Sequence, residues 1–156
     1  MKNNHKIISL CAWLLICQIP AVLGSLFVRG GMEWYQTLSH PPFTPPNALF
    51  GIAWSVLYVL LGISAFLLVG NRWKERAKLT ALLFIQLILN AMWTPVFFGL
   101  NHLSGALVVV IVMLVQALWL AACAWKQSKA AVWLMVPYLG WLCFATYLTA
   151  AHWALN

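Results

Sequence analysis

The sequence predicts an all-α membrane protein, a bundle of five transmembrane helices in one domain across residues 1–156. Of these residues 64% are hydrophobic and 7% are charged, whereas a soluble domain carries about a quarter charged residues. Five apolar runs are long enough to cross a hydrocarbon core of about 30 Å as helices. The runs lack the alternation of polar and apolar residues that is typical of a membrane β-barrel.

The predicted spans cover approximately residues 7–28, 46–69, 79–98, 103–125 and 131–153. Helices suit these runs because they satisfy every backbone hydrogen bond internally, as lipid requires. The first run follows Lys2 and Lys6, so a cleaved signal peptide is an alternative interpretation of it. Its apolar part exceeds the usual core of about 7–15 residues and continues to Arg29. This length favours a first transmembrane helix.

Basic residues concentrate on one side of the five-helix arrangement. Eight of the nine lie in the N-terminus and in the second and fourth connections, and the other side has only Arg29. The positive-inside rule therefore predicts a cytoplasmic N-terminus and an external C-terminus. The net charge of +7 is thus an orientation signal, and no nucleic-acid-binding motif accompanies it. Trp73, Trp125 and Trp133 flank the cytoplasmic ends as predicted interfacial anchors.

The first connection, residues 29–45, is the only long one, and it carries Trp34, Tyr35 and a proline-rich tail. Long connections in compact domains tend to be lids or binding loops. Two aromatic side chains and few charges favour a stiff lid packed on the bundle, and a plain connector is the alternative. Pro46 is expected to be the first residue of the second helix.

Residues for conventional catalysis or metal binding are sparse. The four cysteines fall inside the predicted spans without metal-ligand spacing, and the four histidines are scattered near helix ends. The only acidic residues, Glu33 and Glu75, lie in different connections and cannot form an acid–base pair inside the membrane. The sequence therefore predicts no catalytic residue and no metal site.

Three predicted helices each carry polar and aromatic side chains spaced three and four residues apart, which places them on one face. The stripes are Phe50, Trp54 and Tyr58 in the second helix, Gln86, Asn90, Trp93 and Phe97 in the third, and Tyr138, Trp141, Ala145 and Thr149 in the fifth. The stripes fit either a ligand cage or ordinary helix–helix contacts in which Asn and Thr bridge neighbours. In a cage, Asn90 would supply a directional hydrogen bond and Ala145 would leave space. Arg29 is a candidate partner for a ligand carboxylate, with simple snorkelling as the alternative.

Longer motifs overlap these stripes and follow one another through most of the chain. They read Trp34-Tyr35-x-x-Leu38-x-x-Pro41-x-Phe43-x-Pro45-Pro46 with Trp54 and Leu57-Tyr58; Asn90-x-x-Trp93-x-Pro95-x-Phe97-Phe98-Gly99; and Pro137-Tyr138-x-x-Trp141-x-x-Phe144-Ala145-Thr146-x-Leu148. Together they resemble the TspO/translocator protein family, called tryptophan-rich sensory proteins in bacteria and peripheral benzodiazepine receptors in animals. The resemblance implies a protein of a bacterial-type cytoplasmic membrane.

The family resemblance implies a pocket between the helices, beneath the first loop, that binds porphyrins such as protoporphyrin IX and some hydrophobic drugs, with no resident cofactor. The positions that match the family pocket include Trp54, Asn90, Trp93, Trp141 and Ala145. The full set of expected ligand-binding residues adds Tyr35, Pro45, Phe50, Phe97 and Leu148. Two positions depart from the family pattern. Phe43 stands where a tryptophan is usual, and no basic residue follows Tyr147, so the sterol-recognition pattern is missing and sterol binding is not expected.

The expected function is that of a porphyrin-binding sensory or regulatory membrane protein. Light-dependent porphyrin breakdown, with the ligand as photosensitiser and tryptophans as electron donors, is compatible with the absence of conventional catalytic residues. A transporter of hydrophobic ligands and a non-catalytic scaffold are the alternatives. Expected partners are a flat hydrophobic small molecule, membrane lipids and a second copy of the chain. The pairs Ala21/Ser25 and Ala117/Ala121 would permit the close helix contact of a homodimer.

Overall fold

The computed structural model describes residues 2–69 and 75–156. These residues form five helices that are long and apolar enough to cross a membrane. The helices are α1 (Lys2–Thr37), α2 (Asn47–Val69), α3 (Arg76–Thr94), α4 (Leu103–Trp125) and α5 (Lys129–Leu155), and a π-helical turn (Pro95–Gly99) continues α3. The prediction of an all-α membrane bundle is confirmed.

The end of α1 corrects the predicted boundary. Residues 29–37, which the sequence assigned to a loop, are helical. Glycine costs a helix about 1 kcal/mol relative to alanine, but Gly31 lets α1 pack directly on the π-helical turn, where a Cβ would lie 2.4 Å from the Phe98 carbonyl oxygen. Tyr35, one turn further, is buried in a cluster with Phe97. These tertiary contacts offset the weak helix propensity of the segment. The sequence pattern alone does not reveal them.

The predicted long loop is therefore shorter than expected. Only residues 38–46 connect α1 to α2, and α2 begins at Asn47, one residue after the predicted start at Pro46. Inside this connection the Thr44 hydroxyl donates to the Pro41 carbonyl oxygen at 2.7 Å. Phe43 is 84% exposed and has a φ of 66°, in the left-handed region. We call residues 38–46 the proline loop.

The helices pack in the order α1, α2, α5, α4, α3 around the bundle, and contacts between α3 and α1 close the ring. The proline loop, residues 100–102 and the C-terminus lie at one end, here called the proline-loop end. At the opposite end Trp125 and Trp133 are exposed, with ring centroids 6.5 Å apart, as expected for interfacial anchors. Trp73, with most of the second connection, lies outside the described residues.

Leucine, alanine and methionine side chains fill the bundle towards the end opposite the proline loop. Leu61, Leu68 and Leu83 are completely buried there, as is Met135. Ser64 adds a polar tie, because its hydroxyl donates to the Ala131 carbonyl oxygen at 2.9 Å and links α2 to α5. The bundle is therefore tightly packed in this half, and the cavity described below lies in the other half.

A candidate ligand cavity between the helices

A cavity of about 380 Å³ lies in the half of the bundle nearer the proline loop. Its lining comes from Pro20, Ala21, Gly24, Ser25, Val28, Arg29, Met32 and Tyr35 of α1; Asn47, Phe50, Gly51, Trp54, Ser55 and Tyr58 of α2; Asn90, Trp93, Thr94, Phe97 and Phe98 of α3 and the π-helical turn; Met113 of α4; and Ala145, Leu148, Thr149 and His152 of α5. Its volume falls within the range of about 300–1,000 Å³ that is usual for small-molecule sites.

Eight of the ten residues expected to bind ligand line this cavity, and Pro45 and Trp141 do not. Pro45 lies in the proline loop above the lining. Trp141 of α5 packs against α2. Its ring centroid lies 6.0 Å from that of Phe50 and 6.2 Å from that of Trp54, both edge to face. Of these two tryptophans, both expected in the site, only Trp54 lines the cavity.

Two stacked aromatic pairs form the walls. Trp54 and Tyr58 of α2 stack with centroids 5.4 Å apart and an interplanar angle of 27°. Trp93 of α3 and Phe97 of the π-helical turn stack with centroids 5.1 Å apart at 29°. Each pair follows from the spacing of four residues along a helix, which places successive side chains on one face. The cavity therefore has aromatic side chains from α2, α3 and the π-helical turn in its lining.

A buried polar cluster closes the deep side of the cavity around Asn90. The Asn90 Nδ2 donates to the Gln86 carbonyl oxygen at 2.7 Å and to the Tyr138 hydroxyl at 2.7 Å. The Tyr58 hydroxyl donates to Asn90 Oδ1 at 3.2 Å, and Gln86 Nε2 donates to Tyr138. Because both amide hydrogens of Asn90 are already used, only a lone pair on Oδ1 is left for a ligand.

One buried donor in the lining has no partner of its own. Among the described residues, the indole N–H of Trp93 makes no hydrogen bond although it is buried. A buried donor without a partner costs about 1–3 kcal/mol, so an acceptor atom on a ligand would recover this energy. Trp141 has the same unpaired N–H, but it lies behind the wall.

The cavity reaches the surface between α1 and α2. Ser25 and Arg29 of α1 and Ser55 of α2 all line it and are all exposed. Two contacts between the helices lie near this opening. Gln18 Nε2 donates to the Ser55 carbonyl oxygen at 3.2 Å, and Asn47 Nδ2 lies 3.4 Å from the Met32 sulfur. A ligand could thus enter from the side of the bundle, with the Arg29 guanidinium beside it.

The proline loop is hydrogen-bonded to the C-terminal end of α5 and to the residue that follows it. Asn156 Oδ1 accepts from the Ser39 N–H at 2.8 Å, and Asn156 Nδ2 donates to the Ser39 carbonyl oxygen at 3.1 Å. The Tyr147 hydroxyl donates to the Pro42 carbonyl oxygen at 3.2 Å. The loop thus packs on the bundle, but none of its residues lines the cavity, so a lid over the site stays a prediction.

A model of the TspO/MBR family matches residues 13–154. The chain belongs to the TspO/MBR family. It is 38% identical over 148 residues to tryptophan-rich protein TspO of Archaeoglobus fulgidus, an alignment that covers 91% of this chain and 96% of that one. It is 37% identical to the tryptophan-rich sensory protein of Cereibacter sphaeroides, with 92% and 89% covered. It is 36% identical to the translocator protein of Ovis aries, with 86% and 82% covered.

This TspO/MBR chain also has cavity residues that its motifs did not predict. The largest group comes from α1, where Ala21, Gly24, Ser25 and Val28 recur at helical spacing on the lining. The small residues at this spacing could have indicated the α1 side of the cavity from the sequence. The sequence analysis instead assigned the pair Ala21/Ser25 to a helix–helix contact. The other proposed contact pair, in α4, is buried within the bundle. The homodimer stays a prediction, without support from either pair.

Proposed function

We propose that this TspO/MBR protein is a membrane receptor for a flat, conjugated and largely apolar molecule of the porphyrin class, such as protoporphyrin IX, and that it acts in sensing or regulation. The observation that carries the proposal is the cavity walled by two stacked aromatic pairs from different helices. Each additional aromatic contact is worth about 0.5–1.5 kcal/mol beyond the burial of area. A relative named tryptophan-rich sensory protein supports a sensory role.

The polar groups of the lining suit a ligand that combines an apolar ring with acidic substituents. Arg29 lies at the opening between α1 and α2, where it can pair with a carboxylate at the ligand edge. Trp93 offers a buried N–H to an acceptor deeper in the cavity. The described lining contains no Asp or Glu that would repel such a ligand. The ring would lie between the aromatic walls with its acidic edge towards Arg29.

Light-dependent breakdown of the bound porphyrin is a second candidate activity. It is favoured by the position of Trp54 and Trp93 in the lining, where two indoles would lie against an excited ligand and could donate electrons to it. The described lining offers no Asp or Glu for conventional acid–base catalysis. In such an activity the ligand itself would act as the photosensitiser.

We also propose that the protein lies in a bacterial-type cytoplasmic membrane with the proline-loop end outside. Eight of the nine basic residues are in the N-terminus and the second and fourth connections, and this asymmetry supports a cytoplasmic N-terminus. The cavity would then lie in the outer half of the membrane. A ligand dissolved in that leaflet would reach it through the opening beside Arg29.

The decisive experiment is a titration of the purified protein with protoporphyrin IX, followed by the ligand absorbance and by tryptophan quenching. Saturable binding is expected. Ala145→Leu adds about three carbons to the lining, and overpacking of about 1–3 kcal/mol should lower the affinity about tenfold to a hundredfold. Ala130→Leu is the matched control, because Ala130 is an exposed residue at the far end of the same helix.

The other outcomes test different parts of the proposal. Absence of saturable binding would refute the receptor. Equal affinities for the Ala145→Leu and Ala130→Leu variants would place the ligand outside this cavity. Vectorial porphyrin uptake into liposomes that contain the protein would favour the transporter instead. Loss of porphyrin absorbance under illumination, and only with protein present, would support the photochemical activity.

A further inference from the structure

Two histidines that lie far apart in the sequence meet at the proline-loop end of the bundle. His40 Nδ1 and His152 Nε2 are 3.2 Å apart, although 112 residues separate them. Their ring centroids are 5.4 Å apart, and the ring of Tyr35 packs against both, at 4.8 Å from His40 and 5.5 Å from His152. His40 is exposed and His152 is buried. The sequence did not predict this pair, because the histidines are widely separated along the chain.

The second nitrogen of His152 is held by the backbone of its own helix. Nδ1 donates to the Leu148 carbonyl oxygen at 2.8 Å, so the proton of the neutral ring is on Nδ1 and the lone pair of Nε2 points at His40. Histidines that bind metal ions usually donate their other ring N–H to a carbonyl or carboxylate in this way. The backbone bond thus restrains the ring of His152 and leaves Nε2 as the nitrogen available to a metal ion.

The separation of the two nitrogens matches a shared metal ion. Two imidazole nitrogens that bind one tetrahedral ion at about 2.0–2.1 Å lie about 3.3 Å apart, close to the observed 3.2 Å. A metalloporphyrin held between two axial nitrogens would need about 4 Å, from two bonds of about 2 Å each. The spacing thus fits a small hydrated ion better than the metal centre of a porphyrin held between the rings.

We propose that His40 and His152 form a binding site for a divalent transition-metal ion of borderline softness, Cu²⁺, Ni²⁺ or Zn²⁺, at the proline-loop end of the bundle. Imidazole suits these ions. In the described part of the chain no cluster of three or more His, Cys, Asp or Glu side chains could hold a metal, so water completes the coordination. The exposed side of His40 lets the ion enter from the aqueous phase. The site does not depend on what the cavity binds.

Binding at this site would connect the proline loop to α5. His40 lies in the loop and His152 in the last turn of α5, and His152 also lines the cavity. An ion held by both rings replaces one shared hydrogen bond with two coordinate bonds. It would therefore hold the proline loop against α5 more firmly than the Asn156–Ser39 hydrogen bonds alone. Ions bound to the native protein stabilise it against unfolding.

The test uses full-length protein without a polyhistidine tag, in detergent, titrated separately with CuCl₂, NiCl₂ and ZnCl₂ by calorimetry and by thermal melting. One ion per chain should bind, with Cu²⁺ the tightest. His40→Gln should weaken binding about tenfold or more, since even a group that only orients a ligand is worth about tenfold to a hundredfold. His102→Gln is the control, because His102 is exposed at the same end and makes no side-chain hydrogen bond among the described residues.

The melting curves separate a metal site from a purely structural hydrogen bond. The metal-induced rise in melting temperature of the parent should disappear in His40→Gln and persist in His102→Gln. If His40→Gln melts lower without metal but keeps the metal-induced rise, the pair is only a hydrogen bond and the proposal is wrong. No binding by the parent at millimolar metal, or equal binding by both variants, would also overturn it.

Discussion

Replacement of Gly31 by alanine should force α1 away from the π-helical turn at the side of the cavity. An added Cβ would lie 2.4 Å from the Phe98 carbonyl oxygen, 2.9 Å from its Cβ and 3.0 Å from its carbonyl carbon. Favourable carbon contacts lie at about 3.5–4.0 Å, so the two backbones must separate by about 1 Å. No rotamer change can relieve the overlap, because the nearest atom belongs to the main chain.

The neighbouring glycine supplies the control. A Cβ on Gly30 would meet nothing within 4 Å. Alanine is favoured over glycine inside a helix by about 0.8–1.0 kcal/mol, and this gain applies equally to Gly30→Ala and Gly31→Ala. Overpacking adds a cost of about 1–3 kcal/mol at Gly31 alone. The difference in stability between the two variants is therefore about 1–3 kcal/mol, with the helix propensity cancelled.

Thermal unfolding of both variants in the same detergent, followed by circular dichroism, measures this difference. At about 2–4 °C per kcal/mol for a chain of this size, Gly31→Ala should melt about 2–12 °C below Gly30→Ala. Protoporphyrin affinity should fall as well, because Phe98 and Met32, on the two sides of the contact, line the cavity. Equal melting temperatures would refute the close approach of α1 to the π-helical turn.

Three further outcomes test other contacts. Asn90→Leu removes the partner of the Tyr58 hydroxyl and should lower the free energy of unfolding by about 1–3 kcal/mol; an unchanged melting temperature would show that the cluster adds no stability. Asn156→Ala removes two hydrogen bonds to Ser39 and should therefore accelerate amide hydrogen exchange in residues 38–46. Unaltered exchange would mean that these two bonds do not hold the proline loop in place. A reporter fused after Asn156 should lie outside the cell and one inserted at residues 126–128 in the cytoplasm; the reverse would contradict the orientation.

The sequence by itself determined the features that depend on composition and on local spacing. An apolar content of 64% requires lipid as the solvent, and the lengths of the runs set the number of helices. The geometry of a helix fixes which residues share a face, so Trp54 with Tyr58 and Trp93 with Phe97 were identified as aligned pairs before any helix was placed beside another. These relations hold within one helix and need no tertiary contact.

Only the tertiary structure decided the features that depend on which segments meet. The nine residues 29–37 became helical because Gly31 packs on a turn that lies more than 60 residues further along the chain. The side of α1 that faces the cavity is set by the packing of α1 against both α2 and α3. Trp141 packs edge to face on Trp54, and His40 lies within hydrogen-bond distance of His152. Both contacts join segments that are distant in the sequence. Sequence periodicity gives the direction of a side chain around its own helix axis, whereas its neighbour depends on the packing of the whole bundle.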